Sequence, residues 1–161
     1  MNYLITGGSG LVGSAFSSNS IKLNSKELNL FDYSSSLDTI RFHNPKAIIH
    51  CAAKVGGLYN NMNYPANFFD ENIQMNSNIL KISKSLNIKK FVGFLSTCIF
   101  PDNLGKSYTE EDLHQGPPHD SNFAYAYAKR MLDIQTRSYN QQFGLKYFNV
   151  IPTNIYGPND N

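Results

Sequence analysis

Short apolar runs alternate along this chain with longer segments of helical period, the signature of a parallel α/β sheet. The runs "YLIT" (3–6), "IKL" (21–23), "AIIHCAA" (47–53), "FVGFLS" (91–96) and "FNVIPT" (148–153) are predicted strands. They are apolar throughout rather than alternating, as strands covered on both faces should be. A helix is predicted over 65–87, with Pro65 in the first turn, where its missing N–H is harmless. Phe69, Ile73 and Leu80, with Ile79, Ile82 and Leu86, recur at three, four and seven and predict its buried face. A second helix is predicted over 122–143, capped by Asp120 or Ser121 and stopped by Gly144. The first crossover is tight. Only 14 residues separate Thr6 from Ile21, and a parallel crossover needs a dozen or more, which leaves room for a first helix of about two and a half turns.

Composition narrows the class. At 161 residues the chain fits one domain, 1–161, with a real core. Charged residues make up 16 %, below the ~25 % of ordinary soluble proteins, so the polar surface leans on Asn and Ser. The net charge of +2 is scattered and forms no basic stripe, which argues against nucleic acid. Cys51 and Cys98 are too few for a disulfide framework and fit reduced thiols in the cytoplasm. No stretch approaches the ~18 consecutive apolar residues of a membrane span, and the first ten residues lack the layout of a signal peptide. No metal site is nominated. The long polar segment 102–120 is an expected functional loop.

"TGGSGLVG" places Gly7, Gly10 and Gly13 directly after a strand and at the opening of a helix. In that setting one glycine permits a tight turn, the next lets the backbone approach a pyrophosphate and the third allows close helix–strand packing. A dinucleotide site follows. An acidic residue ~20 residues further on would bind the ribose of NAD, a part open to Glu27 or Asp32. Ser25 and Lys26 would instead meet the 2′-phosphate of NADP, and spacing alone leaves that choice open.

Tyr125 and Lys129 stand four apart and so point from one helix face. An ammonium beside a phenol lowers its pKa from ~10 and makes it a usable proton donor to a carbonyl that receives hydride. Ser96, at the end of an intervening strand, would hydrogen-bond the same oxygen. Cys98 lies two residues beyond Ser96, which in an extended strand puts both side chains on one side, ~6–7 Å apart.

This constellation resembles the extended short-chain dehydrogenase/reductase family. The stretches "CAAKVGGLYNNM", "LSTCIFPD", "GPPHDSNFAYAYAKRMLDIQ" and "VIPTNIYGPNDN" resemble its GDP-L-fucose synthase branch. The resemblance implies a doubly wound parallel (Rossmann) cofactor domain and NADP(H)-dependent epimerisation and reduction of a GDP-sugar substrate. It carries the branch's Ser–Tyr–Lys triad onto Ser96, Tyr125 and Lys129, and its epimerisation cysteine onto Cys98. Cys51 is left to the core. Gly7, Gly8, Ser9, Gly10, Leu11, Val12 and Gly13 would cover the pyrophosphate, with Ser25 and Lys26 near the 2′-phosphate and Asn29 and Leu30 near the adenine. Pro152, Thr153, Asn154 and Ile155 would border the nicotinamide, and Leu95, Ser96 and Lys129 would also bind the cofactor. A homodimer through the helices at 65–87 and 122–143 is implied as well.

There are departures. Serines stand at positions 9 and 25 where bacterial members often carry arginine, Asn159 stands for a usual histidine, and the first crossover is short. The chain stops about halfway through the branch's length, before the acid histidine and most residues that grip the sugar. His43, His50, His114 and His119 do not stand at that position. The rival expectations are a truncated NADP-binding module without turnover, or another nucleotide-sugar epimerase or dehydratase.

Overall fold

A computed structural model describes residues 2–103 and 105–158; Asn159 lies outside them. Five strands form one parallel sheet in the order β2-β1-β3-β4-β5: β1 (Tyr3–Thr6), β2 (Ile21–Leu23), β3 (Ala47–His50), β4 (Lys90–Phe94) and β5 (Phe148–Val150). Leu4 pairs with Ile21 on one side and Ile48 on the other, so β1 is an interior strand and the chain reverses its direction across the sheet between β1 and β3. Crevices at such reversals, outside the carboxyl ends of the strands, are where ligands bind in sheets of this kind.

All five predicted strands are present, but three end early. After His50 the backbone leaves the ladder as other partners take its groups. Ala52 donates to the Thr6 hydroxyl at 3.2 Å, and Lys54 N–H donates to the Asn72 side chain at 3.0 Å.

The first helix, α1 (Leu11–Ser14), is a single turn and much shorter than expected. Ser17 and Ser20 hydrogen-bond within the segment instead of continuing it, which is how such residues compete with helix. Lys22 donates to the Ser14 carbonyl at 2.8 Å and closes the end. A second helix, α2 (Tyr33–His43), has no counterpart in the predicted elements. Only Ser36 and Ile40 of it are buried, too sparse a pattern to read, and Asp32 caps it by accepting from Ser35 N–H at 3.0 Å. A short α3 (Leu58–Asn63) leads into α4 (Pro65–Ser85).

The buried side of α4 differs from the expected one. Ile79, Leu80 and Ile82 are in the core, but Phe69 is 36 % exposed and Ile73 is half-buried. Phe68, Asn72, Met75, Asn76 and Ser83 are buried in their place. Helical period located the helix and mis-set its face because polar side chains occupy the inner line. The last helix, α5 (Phe123–Phe143), packs on α4. It starts from a 3₁₀ turn at Asp120–Asn122 without the expected side-chain cap, and ends on Gly144 in the left-handed region, φ 64°. The core is built on Leu4, Ile48, Ile79, Phe91, Ile99 and Leu132. Among the described residues no helix is long and apolar enough to cross a membrane.

One buried polar chain ties the sheet's centre to α4. The Thr6 hydroxyl bonds His50 Nδ1 at 2.8 Å, and His50 Nε2 meets Asn76 Oδ1 at 3.0 Å. Asn76 Oδ1 only accepts, so Nε2 carries the proton and Nδ1 accepts from Thr6. Burial holds the imidazole neutral, lowering its pKa to about 3, with Lys129 acting in the same direction. A base held neutral in the fold stabilises it above the unfolded pKa of ~6.5 and loses that contribution as pH falls towards 3. Unfolding free energy from urea titrations should therefore drop by about 2 kcal/mol between pH 7 and pH 5. His50→Gln should flatten that slope; an unchanged slope would assign it to other groups.

Candidate active site at the carboxyl ends of the strands

Three glycines bring the strand ends together. Gly7 has φ +67°, and a Cβ there would lie 2.9 Å from the Ala52 backbone. A Cβ on Gly13 would sit 2.2 Å from the Gly7 carbonyl oxygen, and one on Gly8 would meet the β2 backbone at 2.8 Å. Gly8 N–H donates to the Leu23 carbonyl at 2.9 Å. These three are demanded by the fold itself. Gly10 differs: a Cβ there would meet only the Gly7 oxygen, at 3.4 Å, and Gly10 and Ser9 are exposed. The missing side chain at Gly10 leaves an open approach to the turn.

At the end of β2 the acidic candidates have other work. Glu27 accepts from Asn24 N–H at 2.9 Å, while Asn24 Oδ1 accepts from the backbones of Lys26 and Glu27. Asp32 is the cap of α2. Ser25, Lys26 and Asn29 are exposed, whereas the Leu30 side chain is buried in the core and its carbonyl accepts from Asn78 at 2.8 Å. After β5, Pro152 to Ile155 run out of the sheet towards α1. Ile155 there faces Leu11 and Val12 across a groove of about 590 Å³.

Ser96, Cys98, Tyr125 and Lys129 gather at the end of β4. Cys98 is not on an extended strand. It lies in a 3₁₀ turn, Thr97–Ile99, that begins directly after Ser96. The turn brings the two side chains closer than strand spacing would: Cys98 Sγ donates to Ser96 Oγ at 3.3 Å. From α5, Lys129 is buried and donates from Nζ to the Phe94 carbonyl at 2.8 Å, and its ammonium lies 5.8 Å from the Tyr125 ring centre. Leu95 is buried beneath them and bonds the Val150 carbonyl through its N–H.

Burial dominates the electrostatics. It brings Lys129 down to about 8, against the opposing pull of Cys98 and Cys51. It pushes Cys51 up to about 12 and raises Cys98, with the Ser96 hydrogen bond and the Lys129 and Arg130 charges countering the shift at Cys98. The Tyr125 phenol is raised as well, by burial first and Cys98 second, with Ser96 opposing. That corrects the expectation of a lowered phenol: the ammonium is engaged by the Phe94 carbonyl, and desolvation sets the direction at Tyr125. Both cysteines are free thiols. The cleft thus holds a thiol, two hydroxyls and an amine, each largely uncharged or easily discharged, which is an acid–base set. Two parts escaped sequence reasoning. The Thr6–His50–Asn76 chain has no spacing signature, and nothing about Arg130, next to Lys129, marked it as buried.

The sequence profile described as the NAD dependent epimerase/dehydratase family matches residues 3–161. The chain belongs to that family. It is 46 % identical to GDP-L-fucose synthase of Dictyostelium discoideum over 98 % of this chain and 52 % of that protein. It is 40 % identical to a probable GDP-L-fucose synthase of Drosophila melanogaster over 98 % and 52 %. The crystal structure of a GDP-L-fucose synthetase from Naegleria fowleri bound to NADP superposes with a TM-score of 0.89 at 44 % identity, covering 99 % of this chain and 56 % of that one. The chain therefore spans about half the length of the relatives it matches, and aligns with their N-terminal half. The doubly wound parallel sheet expected from the sequence is the fold observed.

Asp32 tests which role its carboxylate serves. Asp32→Ala should lower stability by about 1 kcal/mol, the ordinary cost of a lost helix cap, in a chemical melt. It should leave the preference between NADH and NADPH in a fluorescence titration unchanged. A shift in preference would return Asp32 to the ribose.

Proposed function

We propose that the protein to which this chain belongs is an NADPH-dependent epimerase and reductase of the GDP-L-fucose synthase type, acting on GDP-4-keto-6-deoxy-D-mannose. The observation that carries the reading is the 3.3 Å contact of the Cys98 thiol with Ser96 beside Tyr125 and Lys129, in a chain so similar to such synthases. The residues at the glycine turn fit a dinucleotide, because the absent Cβ of Gly10 leaves its backbone approachable. Gly7, Gly8, Ser9, Gly10, Leu11, Val12 and Gly13 would hold its pyrophosphate, and Leu95, Pro152, Thr153, Asn154 and Ile155 would lie at its nicotinamide end. NADPH bound there would supply a hydride.

In this reading Ser96 hydrogen-bonds the C4 oxygen of the sugar. The ketone acidifies the protons on the adjoining C3 and C5, and the Cys98 thiolate, a short reach from Ser96, removes them. Cys98 keeps the proton it has taken, and delivery of a different proton to the opposite face, from water or from an acid this chain does not supply, inverts the centre. Tyr125 then gives its phenolic proton to the C4 oxygen, and Lys129, buried beside it, stabilises the phenolate left behind. Desolvation favours the neutral thiol and phenol, so Cys98 gives its proton to water before it acts as a base, and Tyr125 keeps the proton it delivers. The exposed pair Ser25 and Lys26, with Glu27 and Asp32 both engaged in local structure, supports the 2′-phosphate of NADP over the ribose diol of NAD. An apolar groove of about 520 Å³ between α4 and α5, lined by Pro65, Phe69, Phe123, Tyr127 and Met131, supports pairing of two copies through these helices. The two free thiols fit the cytoplasm.

Two measurements test the proposal. Lys26→Ala should weaken NADPH about fivefold, the effect of one exposed charge-assisted bond, and leave NADH unchanged; equal affinities of the unmodified chain for both would refute the cofactor assignment. The chemistry is tested in a protein that includes the part of the relatives this chain does not span. Cys98→Ser, with a hydroxyl that hardly ionises near neutrality, should abolish exchange of the C3 and C5 protons with deuterated water while NADPH still binds. Tyr125→Phe should do the reverse, preserving exchange and nearly abolishing NADPH oxidation. Proton exchange at the unmodified rate in Cys98→Ser would sink the reading.

A further inference from the structure

One buried cation has no part in the chemistry above. Arg130, the residue after Lys129 on α5, is 3 % exposed. Its Nε donates to the Ile99 carbonyl and its Nη1 to the Gly116 carbonyl, the latter at 2.7 Å. Its guanidinium lies over the Tyr127 ring, 5.3 Å from the centroid. Nη2 is buried without a hydrogen-bond partner. Among the described residues no carboxylate lies within 4.0 Å of it. Burying a cation without an anion is costly, and two neutral carbonyls and an aromatic face offset only part of the cost.

The Arg130 contacts bear directly on Cys98. Ile99, whose carbonyl Arg130 holds, closes the Thr97–Ile99 turn that carries the thiol. We infer that Arg130 is a positioning residue for Cys98: it ties the thiol's turn to the Gly116 loop and stands as the fixed counter-cation to the thiolate. The inference rests on the reading of Cys98 as the proton-transferring group. The groups that act on the thiol are the Ser96 hydroxyl just before its turn and, from α5, Lys129 and, more weakly, Arg130, with Tyr125 in turn raised by the thiol. Of the two cations, Lys129 is engaged by the Phe94 carbonyl and, brought down to about 8, discharges as pH rises. A guanidinium stays charged throughout that range. Arg130 is thus the charge that persists while a thiol ionises.

The test is alkylation of the folded chain by iodoacetamide from pH 6 to 10, resolved by peptide mass spectrometry. Cys51 is the internal reference, because it faces Lys129 and not Arg130. In Arg130→Met the rate at Cys98 at pH 7.5 should fall about threefold or more, with the midpoint of its pH profile displaced upward and the Cys51 profile unmoved. Arg130→Lys, which keeps charge but not the two-carbonyl bridge, should recover part of the rate. If Arg130→Met fails to fold, Arg130→Gln, neutral but still able to donate to one carbonyl, should show the same displacement. An unmoved Cys98 midpoint, or an equal change at both cysteines, would reduce Arg130 to a structural brace. The displacement does not require turnover, so it would survive even if Cys98→Ser exchanged protons normally; the two readings fail separately.

Discussion

Backbone meets backbone at the end of the first strand, and the rest of the molecule is arranged around that meeting. With a Cβ position on residue 13 only 2.2 Å from the Gly7 oxygen, the opening of α1 must lie against the turn that follows β1. The same turn presses on Ala52 beyond β3 and on β2 through Gly8. Three adjacent strands therefore end within van der Waals reach of one loop. A single-turn α1 suffices because its place is set by contact rather than by its own length. Bulk at any of these positions would push apart the strand ends that frame the cleft.

The cleft inherits its electrostatics from this closeness. Lys129 is buried and Cys98 and Tyr125 are half-buried, so each is displaced towards its uncharged form and depends on its neighbours to ionise. The ammonium of Lys129 draws the Cys98 thiol down, while Cys98 and Cys51 draw the ammonium up. His50 also feels the Lys129 charge, but burial and bonding of its ring on both sides hold it neutral.

Much of this was legible in the residues. Apolar runs located all five strands, Pro65 and Gly144 marked the ends of helices, and the glycine spacing led to the cleft. What was missed has common causes. The α2 helix buries too few apolar residues to show a period, and its Asp32 cap looked equally like a ribose ligand. The inner face of α4 carries asparagines that hydropathy assigns to solvent. Cys98 took strand geometry in the reading because nothing in "LSTCIFPD" announces where the ladder stops; the carbonyl partners of Lys129 and Arg130 come from tertiary contacts that local pattern does not encode. The lowered phenol failed for a related reason, since four-residue spacing reports a shared face but not where the ammonium's hydrogen bond is spent.

The asparagines of α4 have a consequence for recognition. Asn72 holds both backbone groups of Lys54, Asn76 holds the ring of His50, and Asn78 holds the Leu30 carbonyl. One rigid helix thereby grips the loop after β2, the end of β3 and the segment beyond it. Loops borne by different strands lose their independence, so a ligand settling on one finds the others already ordered. The entropy that a flexible rim would surrender at binding is given up here during folding, so contacts made by a ligand appear more fully as affinity.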